Sequence, residues 1–240
     1  APVGVATAND RPDGRTFLDV ATADALVLRS LVDTAADDLS GAVHLIVPVG
    51  ADARRRQLAE MGFRADLTNR SFAVPFAAVL DATARLLDRP SLVEIRQVTE
   101  LDRDAVFELD RRLMADTPGL SGWQGCRRWF DDEFASAAFD ADGYLIAQEP
   151  RTGDLVGLVR FWRNTDQPKL GLLGVVPGHR RGVVAGRLLA SGVQVAAAWG
   201  SPAFVASTAR PSLQRRLRDL GAVEHGGFVR FSRLSSLSQS

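Results

Sequence analysis

The stretch LGLLGVVPGHRRGVVAGRLLA, Leu170–Ala190, is where the chain declares its fold. An apolar run ends at Val175-Val176-Pro177, a turn carries glycines and Arg180-Arg181, and an apolar-periodic segment begins at once, so the reading is strand, basic turn, helix. Free N–H groups in the first turn of such a helix, its dipole and two guanidinium groups suit an anion, and a pyrophosphate above all. The junction is not a nucleotide P-loop, because Arg187 follows Gly186 where a lysine would be needed, and Gly171-Leu172-Leu173-Gly174 does not give the dinucleotide fingerprint.

Downstream, FVAST (Phe204–Thr208) reads as a strand, followed by an arginine-rich helix and closing strands with a hairpin turn at His225. Upstream lie the strand Lys169–Val176, the hairpin formed by GYLIAQE and LVGLVRFW, a second helix at Trp129–Phe134, a loop rich in glycine, and a helix opened by Thr99 with Asp102 and Asp104 in its first turn. The strand Leu92–Val98 starts this series, and a boundary is expected near Pro90, after a linker helix Phe76–Leu87. The first ninety residues read as a hairpin turning at Arg11-Pro12-Asp13-Gly14, a helix Ala23–Leu39, a strand Ala42–Val49, a helix, and two short runs around Leu67 and Phe72–Val74. Val47–Phe63 repeats the order of Val205–Ala222: a strand, an arginine-rich helix with Leu58 or Leu217, and a closing Met61-Gly62 or Leu220-Gly221. The chain therefore reads as an α/β protein of two related lobes, residues 1–90 and 91–240, the first an incomplete copy.

Of the 240 residues 46% are hydrophobic and 24% charged, enough apolar material for a large core and too much for disorder. Twenty-nine basic and twenty-nine acidic side chains cancel, which removes the basic footprint of a nucleic-acid binder. One cysteine, Cys126, forms no internal disulfide, and no leader pattern at Ala1 and no run of eighteen apolar residues is present, so a reducing cytoplasm and no membrane are expected. Cys126, His44, His179 and His225 are too scattered for a metal site. Lys169 is the single lysine, which takes lysine chemistry away.

The motif Val175-Val176-Pro177-Gly178-His179-Arg180-Arg181-Gly182-Val183-Val184-Ala185 resembles the coenzyme A signature of the GCN5-related N-acetyltransferase superfamily, V-x-P-x-x-[RQ]-x-x-G-x-[GA]. The element order from residue 92 to 235 is similar to that family as well. One position departs: Val183 stands where the second glycine is usual. The resemblance implies acetyl-CoA as co-substrate, with the Val175 and Val176 backbone bonding the pantetheine arm. It places the pyrophosphate on the amides of Arg181, Gly182, Val183, Val184, Ala185 and Gly186, assisted by Arg180. An N–H near Val175 would polarise the thioester carbonyl as it gains negative charge. The implied reaction is acetyl transfer to a primary amine of a small molecule or peptide by direct attack.

The acid and base of that chemistry are not evident. Leu217 stands where family members often have a tyrosine, Arg210 where an asparagine is common, and the strand from Lys169 holds no carboxylate. Asp116, Asp131, Asp132 and Glu133 fall on the expected acceptor side, though such carboxylates are ordinarily solvated charges. Ser207 could offer a hydroxyl to the leaving thiolate, and Asp116 with Trp123 lies in a loop placed to meet an acceptor. His179 belongs to the phosphate turn and His44 to a buried strand. The first lobe has no counterpart of the basic turn: FLDVATADAL carries Asp19 and Asp24, whose charge would repel a pyrophosphate, so its role is structural. The rival readings are a non-catalytic acyl-CoA-binding or interaction protein and, further off, a nucleotide binder; monomer and homodimer both remain open.

Overall fold

The computed structural model describes residues 4–11, 14–39, 41–87, 93–180 and 183–234. In chain order these form β1 (Val5–Asp10), β2 (Thr16–Ala21), α1 (Ala25–Asp38), β3 (Ala42–Pro48), α2 (Asp52–Glu60), β4 (Arg64–Pro75) and α3 (Phe76–Leu87). There follow β5 (Glu94–Gln97), α4 (Arg103–Ala115), α5 (Arg127–Ala135), β6 (Tyr144–Gln148), β7 (Leu155–Trp162), β8 (Lys169–Val175), α6 (Val184–Ala197), β9 (Ala203–Thr208), α7 (Pro211–Asp219) and β10 (Val223–Leu234).

The chain makes two compact units: Ala1–Arg70 with Gly226–Ser240, and Ser71–His225. In the first, strands lie in the order β1, β2, β3, β10, β4, and α1 buries Leu28, Val32 and Ala36, one stripe at four-residue spacing, in a core with Leu45, Val47, Leu58, Val229 and Phe231. In the second the order is the end of β4, then β9, β8, β7, β6, β5. Strand β7 is buried from Val156 to Phe161 because helices cover both its faces. Neighbouring β8 positions show this, for a Cβ at Gly174 would meet Leu113 of α4, and the residue paired with Val175, Gly157, faces Leu188 of α6.

Several expectations change. Thr99 lies in a 3-10 turn, and α4 is capped by Asp102, whose carboxylate accepts from the Ala105 amide at 2.9 Å. The two short runs after Phe63 are one strand of twelve residues, β4, whose polar middle at Asn69 and Arg70 hid its continuity. The hairpin expected at His225 is likewise a single strand, β10; Gly226 and Gly227 pass through φ +146° and +139°, and a side chain at 227 would land 2.2 Å from the Asn69 carbonyl. The compact units do not divide at Pro90, which lies outside the described residues. The divisions fall within β4 and within β10, and α3 packs on α6 in the second unit, where a Cβ at Gly186 would meet Leu86 at 2.5 Å.

The repeat extends to hydrogen bonds. After α2, Met61 N–H donates to Gln57 and Leu58, Gly62 to Ala59 and Phe63 to Leu58; after α7, Leu220 donates to Arg216 and Leu217, Gly221 to Arg218 and Ala222 to Leu217. Gly62 and Gly221 take φ +82° and +76°, the left-handed turn that closes both helices. The order β1-β2-α1-β3-α2-β4 thus parallels β7-β8-α6-β9-α7-β10.

Candidate functional site

Parallel strands β8 and β9 pair at Lys169 and Val205, with a further bond from the Val205 amide to the Pro168 carbonyl, and no other pair joins them among the described residues. Beyond Lys169 they splay. Pairing along β7 decides which backbone groups face the opening. Val176 donates to the Val156 carbonyl at 2.9 Å, so by antiparallel alternation the amides and carbonyls of Leu173 and Val175 point the other way, toward β9. Val176 has both backbone groups engaged, since its carbonyl accepts from His179 N–H at 3.0 Å; of the Val175–Val176 pair only Val175 turns to the cleft, and Leu173 joins it.

At the end of β8 the chain makes a 3-10 turn, Pro177–His179, and α6 starts with Val183 at its N-cap, which supplies no side-chain cap. Among the described residues the helix's first bond runs from Arg187 N–H to the Val183 carbonyl, and the amides of Val184, Ala185 and Gly186 have no acceptor within α6 itself. Arg181 and Gly182 lie outside the described residues. Arg180 turns back: its Nε donates to the Val175 carbonyl at 2.9 Å and its Nη2 to Asp116 Oδ2 at 2.7 Å.

Asp116, the C-cap of α4, is therefore brought to the mouth of the splay. It also meets Arg210, which donates from Nη2 to the Asp116 carbonyl at 3.0 Å and lies 3.8 Å from its carboxylate. Arg210 is the N-cap of α7 and is held by its own N–H bond to Thr208 Oγ1. Ser207, exposed near the end of β9, shares a 2.8 Å hydrogen bond with Ser71. Trp123 is buried against Trp129, ring centres 6.2 Å apart, and packs beneath its loop instead of facing out. Asp131 pairs with Arg103 and Arg127, and Asp132 with Arg128, the ordinary fate of surface carboxylates. Cys126 is the half-buried N-cap of α5, and His44 is buried with its ring 5.2 Å from Phe17.

A second group of ionisable residues joins Glu133, already named among the carboxylates, to Arg160 and Asp110, which the sequence reading did not single out. Arg160, on β7, is almost wholly buried; it bonds Asp110 of α4 at 3.1 Å and Glu133 of α5, and its guanidinium lies 5.4 Å from the Tyr144 ring and 5.0 Å from that of Trp162. Burial raises the Asp110 carboxyl despite Arg160 and pushes Glu133 up to about 7, Arg160 pulling it down and Asp110 driving it up. Burial also raises the Tyr144 hydroxyl. The clue lay in LVGLVRFW: one arginine in an otherwise apolar strand must find counter-charges.

The first unit repeats the splay without the phosphate end. Parallel β2 and β3 pair at Thr16–Val43 and Phe17–His44 and then part, leaving a pocket of about 440 Å³ lined by Leu18, Val20, Leu45, Val47 and Arg54. Its helix start is closed, for Asp24 accepts from the amides of Leu26 and Val27 at 2.8 and 3.1 Å. Among the described residues, no cluster of three or more metal-ligating side chains exists, and no helix is long and apolar enough to cross a membrane.

This arrangement is the GCN5-related N-acetyltransferase fold. A structure of such a protein from Sphaerobacter thermophilus superposes with a TM-score of 0.70 at 17% identity, over 96% of this chain and 76% of that one. A tandem protein of the same fold from the clavulanic acid biosynthesis pathway, in a form without acetyl-CoA, gives 0.64 at 15% identity over 98% and 79%. A GCN5-related N-acetyltransferase from Kribbella flavida gives 0.57 at 17% identity over 90% and 80%. No protein-family model matches the sequence, and no curated protein matches it.

Proposed function

We propose that this protein is an acyltransferase that moves an acetyl group from acetyl-CoA to a primary amine, with the second unit as the working one. The observation that carries the reading is the β8–β9 splay: beyond the Lys169–Val205 pair the backbone of Leu173 and Val175 turns to the opening, which ends beside Arg180 at the start of α6, where no side chain caps the helix. An extended amide-bearing arm would hydrogen-bond along the slot as a strand does. The amides of Val184, Ala185 and Gly186 would take a pyrophosphate, with Arg180 adding full charge.

The chemistry follows from these positions. A neutral amine attacks the thioester carbonyl, forming the C–N bond, while the Leu173 or Val175 N–H stabilises the oxyanion. Collapse breaks the C–S bond, the thiolate leaves, and the amine's proton passes to water; Ser207 of β9 would offer its hydroxyl to the thiolate. The first unit is a degenerate copy with a structural role, because the Asp24 carboxylate already occupies the helix amides that a phosphate would need. A non-catalytic acyl-CoA binder is the second reading, favoured by buried Leu217, which brings no hydroxyl to α7.

Calorimetric titration of acetyl-CoA, with ATP as control, tests the reading. Micromolar binding of acetyl-CoA alone, weakened about tenfold by Arg180→Ala through loss of a charge-assisted contact, is the expected result. Absence of binding overturns it, and binding without turnover of any amine in a panel leaves the second reading standing.

A further inference from the structure

We infer that Arg180 and Arg210 form a two-arginine clamp for a phosphate-bearing ligand, and that Asp116 occupies this clamp as an internal stand-in which the ligand must displace. The inference rests on the acyl-CoA reading for the direction from which the ligand comes. Three loops converge here, at the ends of α4, β8 and β9, and one carboxylate oxygen joins them: Asp116 Oδ2 lies 2.7 Å from Arg180 Nη2 and 3.8 Å from Arg210 Nη2. Arg180 bonds that oxygen, and Arg210, whose Nη2 bonds the Asp116 carbonyl at 3.0 Å, lies beside it, so two guanidinium groups gather at one carboxylate and present the charge that a phosphate selects.

The clamp is built before any ligand arrives. Arg180 is steered by its Nε bond to the Val175 carbonyl, and Arg210 by its place at the start of α7, where Thr208 Oγ1 accepts its N–H at 3.1 Å and Gln214 Nε2 bonds the Thr208 carbonyl at 3.0 Å. Asp116, by contrast, is weakly held. Its side chain is 48% exposed, those of Arg180 and Arg210 are 42% and 53% exposed, and ion pairs so open to water are readily exchanged. A phosphate carries more charge than one carboxylate and takes both arginines. The Asp116 carboxylate is then released, while its backbone carbonyl keeps the bond from Arg210.

A resident competitor lowers apparent affinity by the fraction of time the clamp is closed. Removing it must therefore tighten binding. Acetyl-CoA and, separately, inorganic pyrophosphate are titrated into the full chain and into Asp116→Asn, Asp116→Ala and Arg210→Gln. Both Asp116 variants are expected to bind each ligand about three- to tenfold more tightly, and Arg210→Gln about tenfold more weakly. Unchanged or weaker binding in the Asp116 variants while wild type binds acetyl-CoA overturns the stand-in and spares the acyl-CoA reading. Tighter pyrophosphate binding in those variants with no acetyl-CoA binding supports the clamp and sinks that reading. Failure of every form to bind either ligand sinks both.

Discussion

At the scale of single residues, the most constrained backbone position in the first unit is Gly227. Its φ of +139° and the 2.2 Å approach of an added Cβ to the Asn69 carbonyl leave no place for a side chain, and the obstacle is backbone that cannot swing aside. Gly227→Ala is expected to cost about 2–4 kcal/mol of stability, read as a lower urea midpoint with an unaltered slope; an unchanged midpoint would show that β10 bends some other way. The residue scale also separates what could be read in advance. Val175, Arg180 and the start of α6 were legible because a strand, a basic turn and a helix written in one stretch fix their own local geometry. The Arg210–Asp116 contact was not, since it joins residues 94 positions apart through folds of three loops. Leu173 was missed for a different reason: which amide faces the cleft depends on pairing with β7, and register is a property of two strands.

At the scale of elements, α4 and α5 are fastened to β7 by Arg160, Asp110 and Glu133, one cation facing two carboxylates under cover. Glu133, raised to about 7 from an ordinary 4.5, holds its proton in the folded protein at pH values where the unfolded chain has lost it. The folded state thus binds more protons between about 4.5 and 7, and stability falls as pH rises across that window. Relative to Glu133→Gln, which cannot titrate, wild type is expected to lose about 1–3 kcal/mol between pH 5 and 8, measured by urea unfolding at each pH. A difference that stays flat or grows in wild type's favour would contradict the assignment. Most elements were legible from periodicity; the failures were β4 and β10, each split in the reading by polar residues or glycines that a long strand tolerates where it changes neighbours. The sequence reading starts α4 one turn too early, at Thr99 with Asp102 inside the first turn, because both residue types can cap and only the folded backbone shows that Asp102 does so.

At the scale of the whole molecule, the compact units divide at Arg70 and His225 whereas the sequence reading puts a boundary near Pro90, and the difference is testable. Residues 91–240 lack Phe72, Val74, Phe76 and Val79, all 4% exposed or less in the core of the second unit. A fragment spanning 71–225 is expected to unfold cooperatively in urea, and one spanning 91–240 to show no cooperative transition; the reverse order would restore the boundary at Pro90. The sequence repeat was right in order of elements and blind to this exchange. Its physical basis is that β10 lies beside β3 and β4 beside β9, so the strand that closes each strand–helix–strand series is not the neighbour of that series' own first strand.

That exchange also sets a timetable. A ribosome delivers β3 early, yet the strand that pairs with it, from Phe228 to Leu234, emerges some 180 residues later, on the order of ten seconds or more at ordinary elongation rates. Through that interval one edge of β3 has no β10 to pair with, a bare edge of the sort that attracts other nascent chains and that holding chaperones cover. The unit begun second is complete at His225, so the unit that is begun first is the one completed last.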